Sequence, residues 1–385
     1  MTDSIETRFV QFSDGQNRDE LLTFWNALRA SIDGADADLR SDPGFLFAAE
    51  GLLNKRKDMI SFAMLSRDGA PIAMFPIEQI KDAKIPGSYF SIMHHPSNLS
   101  EMAVLSRPDD MQPACKALVQ ALRKKSPSVA GFAMEGIDMA CPLHAALLQT
   151  LPQGMVLTRD PKPQYFVDLE GYQSIDDYFS SRSANFRKTI KRGRSRLEKL
   201  GGYDFGTAGP DGPWSLADIR ELDKLTWRAA EKEGDTPELL LQFVEKTMAD
   251  IDARAAHNIR FVSIEGKPVA SYFVTQYGGV VYGIKSNFNP EFSAASPSVV
   301  AFYHLVDEAI QAGASRIELL NGNAYSKPWS NNVRQLARDI VFFNNMRGRA
   351  IYLSAKAAKA GKEILKRPSV DAPSSRDKGQ SRRAG

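Results

Sequence analysis

The chain has little cysteine and no long apolar run. Cys115 and Cys141 are its two cysteines in 385 residues. They form no metal-type pair, and read as small core residues in a reducing compartment rather than as a disulfide. No stretch approaches the roughly 20 apolar residues that cross a bilayer, and the opening MTDSIETRFV lacks the apolar centre of a secretory signal. These absences predict a cytoplasmic protein. The sequence also has no G-x-S-x-G, no G-x-x-x-x-G-K-[ST] and no G-x-G-x-x-G, which argues against a nucleophile-elbow hydrolase, a P-loop NTPase and a dinucleotide-binding enzyme. Its five histidines, His94, His95, His144, His257 and His304, are scattered without ligand spacing, so no metal is expected. His304, beside an apolar helix face, reads as a packed side chain.

What is present is an uneven charge distribution. The net charge is +3. Residues 182–199 hold eight Lys/Arg against Glu198 alone, and residues 347–385 hold eleven against three acids. Outside these segments 30 basic residues face 42 acidic ones, net −12. Two local basic segments on an acidic body point to anionic partners more than the overall balance does. The composition, 43% hydrophobic and 25% charged, is that of a globular chain long enough for two domains.

Element signals alternate along the chain. Residues 8–12 predict a strand, and 18–30 and 45–55 predict helices. Residues 59–66 and 71–77 are apolar runs flanking Arg67-Asp68-Gly69, a hairpin turn. A helix is expected over 111–124 and strands over 129–135 and 165–169. Ser174-Ile-Asp-Asp177 has the pattern of a capping box, and the basic helix after it places Phe186, Ile190, Leu197 and Leu200 on one face before Gly201-Gly202 ends it. Helices are expected over 216–230 and 237–253. ISFAMLSRDGAPIAMFPI (60–77) lays over IRFVSIEGKPVASYFV (259–274) as strand, glycine turn and strand starting at proline. Helix-then-strand units follow both, at 111–135 and 297–320. The reading is a mixed α/β fold of two related tandem domains, 1–165 and 166–350, each a mixed twisted sheet flanked by helices. Residues 351–385 form a basic tail with a short helix at its start and a disordered end rich in Pro, Ser and charge.

Four places could carry chemistry. Ser296-Pro297-Ser298 opens a helix, with Ser296 able to cap and free N–H groups expected at Ser298, Val299 and Val300, where a pyrophosphate could sit; equally, Ser-Pro-Ser only starts a helix. Gly283 lies inside the strand Tyr282–Ile284, where a strand splaying from its neighbour would expose amides able to polarise a thioester carbonyl; a bulge or a packing glycine is the alternative. The polar turn Asn321–Lys327 follows a strand end, where open α/β sheets bind ligands. In it Tyr325 could protonate a thiolate, Lys327 could bind an anion, and Glu318 just before it could act as a base; an ordinary Asn/Gly turn is the alternative. Arg187, Lys188 and Arg192 on the basic helix could hold the phosphate end of a nucleotide cofactor, or RNA, or simply form a solvated face. Asn321, Asn323, Trp227 and Lys285 are the acceptor-side candidates.

YFSSRSANFRKTIKRGRSRLEKLGG, then GKPVASYFV…YGIKSNFNPEF…SPS, then Gly322, Tyr325 and Lys327 as G-x-x-Y-x-K, together resemble the GNAT-like acetyltransferases of the CelD/BcsL type, found around cellulose and exopolysaccharide synthesis. The resemblance covers about residues 172–345. The first half resembles a degenerate copy, as in tandem GNAT proteins including the FemAB peptidyltransferases. The resemblance implies a splayed sheet holding acetyl-CoA or another acyl-CoA, with transfer to an amine or hydroxyl. It places Ser296–Val300 where GNATs carry a Gly-rich pyrophosphate loop and Tyr325 near the general-acid tyrosine. The chain departs from the pattern: FSAASPSV stands in place of R/Q-x-x-G-x-G/A. An acyltransferase acting on a small-molecule or glycan acceptor is the expectation. An aminoacyl-tRNA-dependent peptidyltransferase, and a non-catalytic subunit of a polysaccharide synthase, are the alternatives. The basic tail would contact an anionic membrane or partner.

Overall fold

The computed structural model describes residues 4–12, 17–32, 38–48, 60–82, 85–93, 104–152, 154–208, 215–225, 242–247, 256–319 and 326–366. Two hairpins in it carry the same turn. Asp68 and Gly69 have φ of 51° and 80°, and Glu265 and Gly266 have φ of 50° and 73°. Two successive left-handed residues make the tight turn whose twist suits a two-residue hairpin. The same irregularity follows each turn: Ser66 pairs with Pro71 and Ser263 with Pro268, with a register shift at Leu65/Ser66 and at Val262/Ser263.

The duplication extends to whole halves. The first runs β1 (Ile5–Gln11), α1 (Arg18–Ala30), α2 (Pro43–Ala48), β2 (Ile60–Arg67), β3 (Ala70–Lys81), β4 (Ser88–Ile92), β5 (Leu105–Ser106), α3 (Met111–Lys125), β6 (Gly131–Asp138), α4 (Pro142–Thr150) and β7 (Val156–Leu157). The second runs β8 (Lys162–Asp168), α5 (Ile175–Ser180), α6 (Ala184–Lys199), β9 (Asp204–Ala208), α7 (Leu216–Lys224), a helical stretch at 242–247, β10 (Ala256–Ile264), β11 (Lys267–Tyr277), β12 (Val280–Phe288), α8 (Pro297–Gln311), β13 (Arg316–Glu318), β14 (Asn332–Phe342) and α9 (Met346–Lys366). In the first half β1 to β4 are antiparallel neighbours, and α3 carries the chain to β6, parallel to β4. In the second, β9 to β12 are antiparallel neighbours, and α8 carries the chain to β13, parallel to β12. One mixed sheet results, in the order β1-β2-β3-β4-β6-β14-β8-β13-β12-β11-β10-β9.

The halves share more than an edge. β14 pairs antiparallel with both β6 and β8, and β8 straddles position 165, where the sequence suggested a boundary. One apolar core takes Leu21, Trp25 and Phe45 from the first half and Phe273, Tyr277, Val280 and Tyr282 from the second. The opposite sheet faces are covered by α3 and α4 in the first half and by α8 in the second, where Val300, Phe302 and Leu305 meet Tyr272, Ile317 and Trp329.

The single basic helix expected after Ser174 is two helices. Ser174 Oγ accepts from the Asp177 amide at 3.2 Å to open α5, and Ser183 Oγ accepts from the Phe186 amide at 3.3 Å to open α6. Leu200, expected on the apolar stripe, is 48% exposed. Its place is taken by Gly193, where an added Cβ would lie 3.0 Å from the Ala295 carbonyl, so α6 packs closely on the turn before α8. The expected helix over 237–253 is described only at 242–247.

Candidate active site

β12 and β13 run side by side for three pairs, Val280–Arg316, Val281–Ile317 and Tyr282–Glu318, and the ladder stops there. On its other edge β12 pairs Gly283 with Val274 but Lys285 with Phe273, leaving Ile284 unopposed. That extra residue is a β-bulge, which bends its strand and redirects it. β13 ends at the same level, and the Leu319 carbonyl accepts from Gln164 Nε2 of β8 at 2.5 Å. The β12–β13 ladder thus ends at Tyr282 and Glu318, with Gly283 and the bulged Ile284 just beyond its end. A Cβ on Gly283 would have the Glu318 carbonyl at 3.7 Å as its nearest neighbour, ordinary van der Waals contact. Packing therefore does not require glycine here.

The side chains at the ladder end are fixed. Tyr282 is buried; its hydroxyl oxygen accepts from the Leu39 amide at 3.4 Å, and Arg40 stands 6.0 Å over its ring. Burial, aided by Asp38, pushes its hydroxyl well above the usual tyrosine range, so Tyr282 offers a ligand its backbone rather than its phenol. Asp38 faces the same cluster. Burial pushes its carboxyl up, but Arg40 and then Arg316 outweigh burial and hold it below its usual value. Glu318 is buried, and its Oε1 accepts from Arg316 Nε at 2.8 Å and from Arg334 Nη2 at 2.7 Å. Arg334 in turn stacks over Phe166 at 4.4 Å. A carboxylate oxygen bonded to two guanidiniums holds both of them in place.

The start of α8 also differs from expectation. Ser296 takes a left-handed conformation (φ 50°, ψ 54°), and its side chain does not cap the helix. Its carbonyl instead accepts from the Val299 amide at 3.0 Å and the Val300 amide at 3.2 Å. Two of the three amides expected to be free are therefore engaged. α6 lies beside this turn, where Arg196 Nη1 donates to the Ala294 carbonyl. Arg192, one turn earlier on the same side and exposed, faces the same region. Arg187 points elsewhere, donating to the Ser180 carbonyl at 2.8 Å, and Lys188 is exposed one turn before Arg192. Lys188, Arg192 and Arg196 follow one another at four-residue spacing along α6, while Arg187 is turned toward Ser180.

On the other side of the bulge, Lys285 and Asp223 of α7 form a buried ion pair. Asn287, two residues on, is buried, and among the described residues its Nδ2 has no partner. Lys327 is exposed in the turn after Ser326. Tyr325, Asn321, Asn323 and Trp227 lie outside the described residues. Asp223, Arg316, Arg334, Asp38 and Arg40 were missed from sequence. Arg316-x-Glu318 carried a readable signal, since residues two apart share a strand face; Asp223 carried none, its partner being 62 residues away. His304 packs as expected, stacked on Phe205 and bonded to the Tyr203 hydroxyl at 3.1 Å.

Residues 184–328 match a family described as "Acetyltransferase (GNAT) domain". No curated protein matches the chain. Among solved structures, FemX is similar at a TM-score of 0.58 and 12% identity, covering 86% of this chain and 98% of FemX. A conserved protein of unknown function from Bacteroides thetaiotaomicron VPI-5482 is similar at 0.53 and 13%, covering 87% of this chain and all of the other (100%). Such identities establish a shared fold. The end of the β12–β13 ladder, the bulge and the crossover helix α8 thus lie within the residues that match this family.

Proposed function

We propose that the second half transfers an acyl group from acyl-CoA to an amine or hydroxyl acceptor. The observation that carries this reading is the end of the β12–β13 ladder at a bulge in β12, beside a glycine that packing does not require. The acyl-pantetheine arm would lie beyond that ladder end, with backbone N–H groups around Gly283 and Ile284 polarising the thioester carbonyl. The phosphate end fits less directly, because Ser296 occupies the Val299 and Val300 amides; Arg192 and Arg196 would supply the attraction that a glycine loop supplies elsewhere.

In the transfer, the acceptor nitrogen or oxygen attacks the thioester carbon, the C–S bond breaks, and CoA leaves as thiolate. Tyr325 would protonate that thiolate, and water would take the acceptor's proton. Glu318 would position Arg316 and Arg334, and Lys285 with Asp223 would line the acceptor side. Lys327, exposed beyond the turn, would attract an anionic acceptor. An envelope or exopolysaccharide sugar is the first acceptor to test, given the resemblance to the CelD/BcsL type.

The test is calorimetric titration with acetyl-CoA. Binding is expected, weakened about tenfold or more in Arg192→Ala/Arg196→Ala, since each charge-assisted contact contributes about 1.5–3 kcal/mol. No heat and no thermal shift with acetyl-CoA would overturn the reading. A second reading, aminoacyl-tRNA as donor, is favoured by the exposed cations of α6: among the described residues no carboxylate lies within ion-pair distance of Lys188, Lys191 or Arg192. Retention of tRNA together with no acetyl-CoA binding would select it.

A further inference from the structure

The helix that follows β14 carries a surface whose composition is not that of a solvated helix. α9 is pressed onto the sheet at its start, where a Cβ on Gly348 would fall 2.2 Å from the Phe343 carbonyl and 2.7 Å from that of Ala130. Ile351, Tyr352 and Ala355 continue this inner face against Tyr89 and Phe342. At about 100° per residue, Met346, Ala350, Leu353 and Ala357 form the opposite, outward face. All four are exposed, and Met346 at 90% and Leu353 at 64% are the two most exposed large apolar side chains among the described residues.

The cations of the same helix border that outward stripe. By the same rotation, Arg349 and Lys356 lie roughly 60–80° to one side and Arg347 about 100° to the other. Arg349 Nε donates to Asn344 Oδ1 at 2.6 Å, and Lys356 Nζ stands 5.8 Å from the Tyr352 ring. Among the described residues none of the three has a carboxylate within ion-pair distance. Apolar side chains facing out, with unpaired cations on both flanks and a body acidic elsewhere, match a helix lying in a membrane interface: the apolar centre enters the acyl boundary while the flanking cations meet anionic headgroups. A nucleic-acid surface would have no use for the exposed Met and Leu at its centre.

We propose that the outward face of α9 docks this protein on an anionic lipid bilayer, reversibly. No helix among the described residues is long and apolar enough to cross one. The proposal assigns the contact to a defined helix face, independently of the residues after Lys366 and of the acyltransfer reading.

The experiment is co-sedimentation of the full chain with phosphatidylcholine vesicles, with and without phosphatidylglycerol, across a salt series. Binding is expected only with phosphatidylglycerol and should fall as salt rises. Met346→Glu/Leu353→Glu should lower the partition coefficient at least about fivefold at an unchanged melting temperature, since both side chains are already in water. Arg347→Ala, Arg349→Ala and Lys356→Ala should each lower it up to about fivefold, in line with about 1 kcal/mol per cation. The proposal fails if phosphatidylglycerol vesicles do not retain the protein. It fails if the double Glu variant binds as well as the parent while truncation after Lys366 abolishes binding. It also fails if the three cations support tRNA binding and not vesicle binding.

Discussion

Two kinds of glycine make the site testable at the scale of single residues. A Cβ on Gly131 of β6 would lie 2.3 Å from the Val341 carbonyl, so Gly131→Ala forces two paired strands apart and should cost about 1–3 kcal/mol or more. Gly283→Ala meets only ordinary contact and relieves a flexible residue inside a strand, so stability should stay level or rise by up to about 1 kcal/mol. Its acetyl-CoA-induced thermal shift should nonetheless shrink, because the added methyl stands where the acyl arm is proposed to lie. Urea denaturation with and without acetyl-CoA separates the two; equal shifts in Gly283→Ala and parent would mean that no ligand approaches this strand. Glu318→Gln addresses the neighbouring charge. It leaves Arg334, at 12% side-chain exposure, beside a neutral amide, and the loss of one partner from a buried pair costs about 3–5 kcal/mol. The low end is expected because Arg316 is 35% exposed. A stability loss under 1 kcal/mol would show that Glu318 does not anchor the two arginines.

At the scale of elements, local chemistry was legible and tertiary geometry was not. The strands on either side of Asp68-Gly69 and Glu265-Gly266 were readable because apolar runs and a glycine turn are local signals. The break between α5 and α6 was not, because the run 175–199 satisfies one helical period throughout and only the fit of Gly193 against Ala295 fixes where α6 lies. The bulge at Ile284 has no local signature either; Gly283 hinted at it, but the register shift depends on β11. The turn itself offers a prediction. Glu265 sits at φ 50°, a conformation that costs most side chains about 1 kcal/mol and asparagine less. Glu265→Asn should raise stability by about 0.5–1 kcal/mol without altering activity, read as a shift in denaturation midpoint at constant slope. The pairing of β10 with β11 also sets an acid limit. His257 Nδ1 meets Thr275 Oγ1 at 2.9 Å, while its buried Nε2 has no partner among the described residues. Burial pushes its pKa down to about 4 from an ordinary 6.5. Between those values the unfolded chain holds a proton that the folded chain does not, so stability is complete above pH 6.5 and drains as pH falls toward 4. The half-buried position limits this to about 1–2 kcal/mol. His257→Gln should flatten that part of the stability–pH curve.

At the scale of the molecule, the question is whether duplication has left two units or one. The tandem repeat was visible in sequence as two alignable hairpins with matching helix-strand followers, but the join between them was not, since nothing local says that β14 will pair with β6 or that α1 will pack beneath β11. The join argues for one folding unit. Trp25, Leu28 and Phe45 share a core with Phe273, Tyr277 and Tyr282. Tyr277 of the second half accepts from Arg29 Nη1 at 2.7 Å and donates to Asp42 Oδ2 at 3.2 Å, both in the first half. Either half alone would expose this apolar face and leave an edge of β14 or β6 unpaired, a combination that favours aggregation over independent folding. The full chain should therefore unfold in one cooperative calorimetric transition. Trp25→Ala, 1% exposed in the parent, should lower that whole transition by about 3–5 kcal/mol, although it lies far in sequence from residues 184–328. Two resolved transitions, with Trp25→Ala moving only one, would instead make the first half a separable domain.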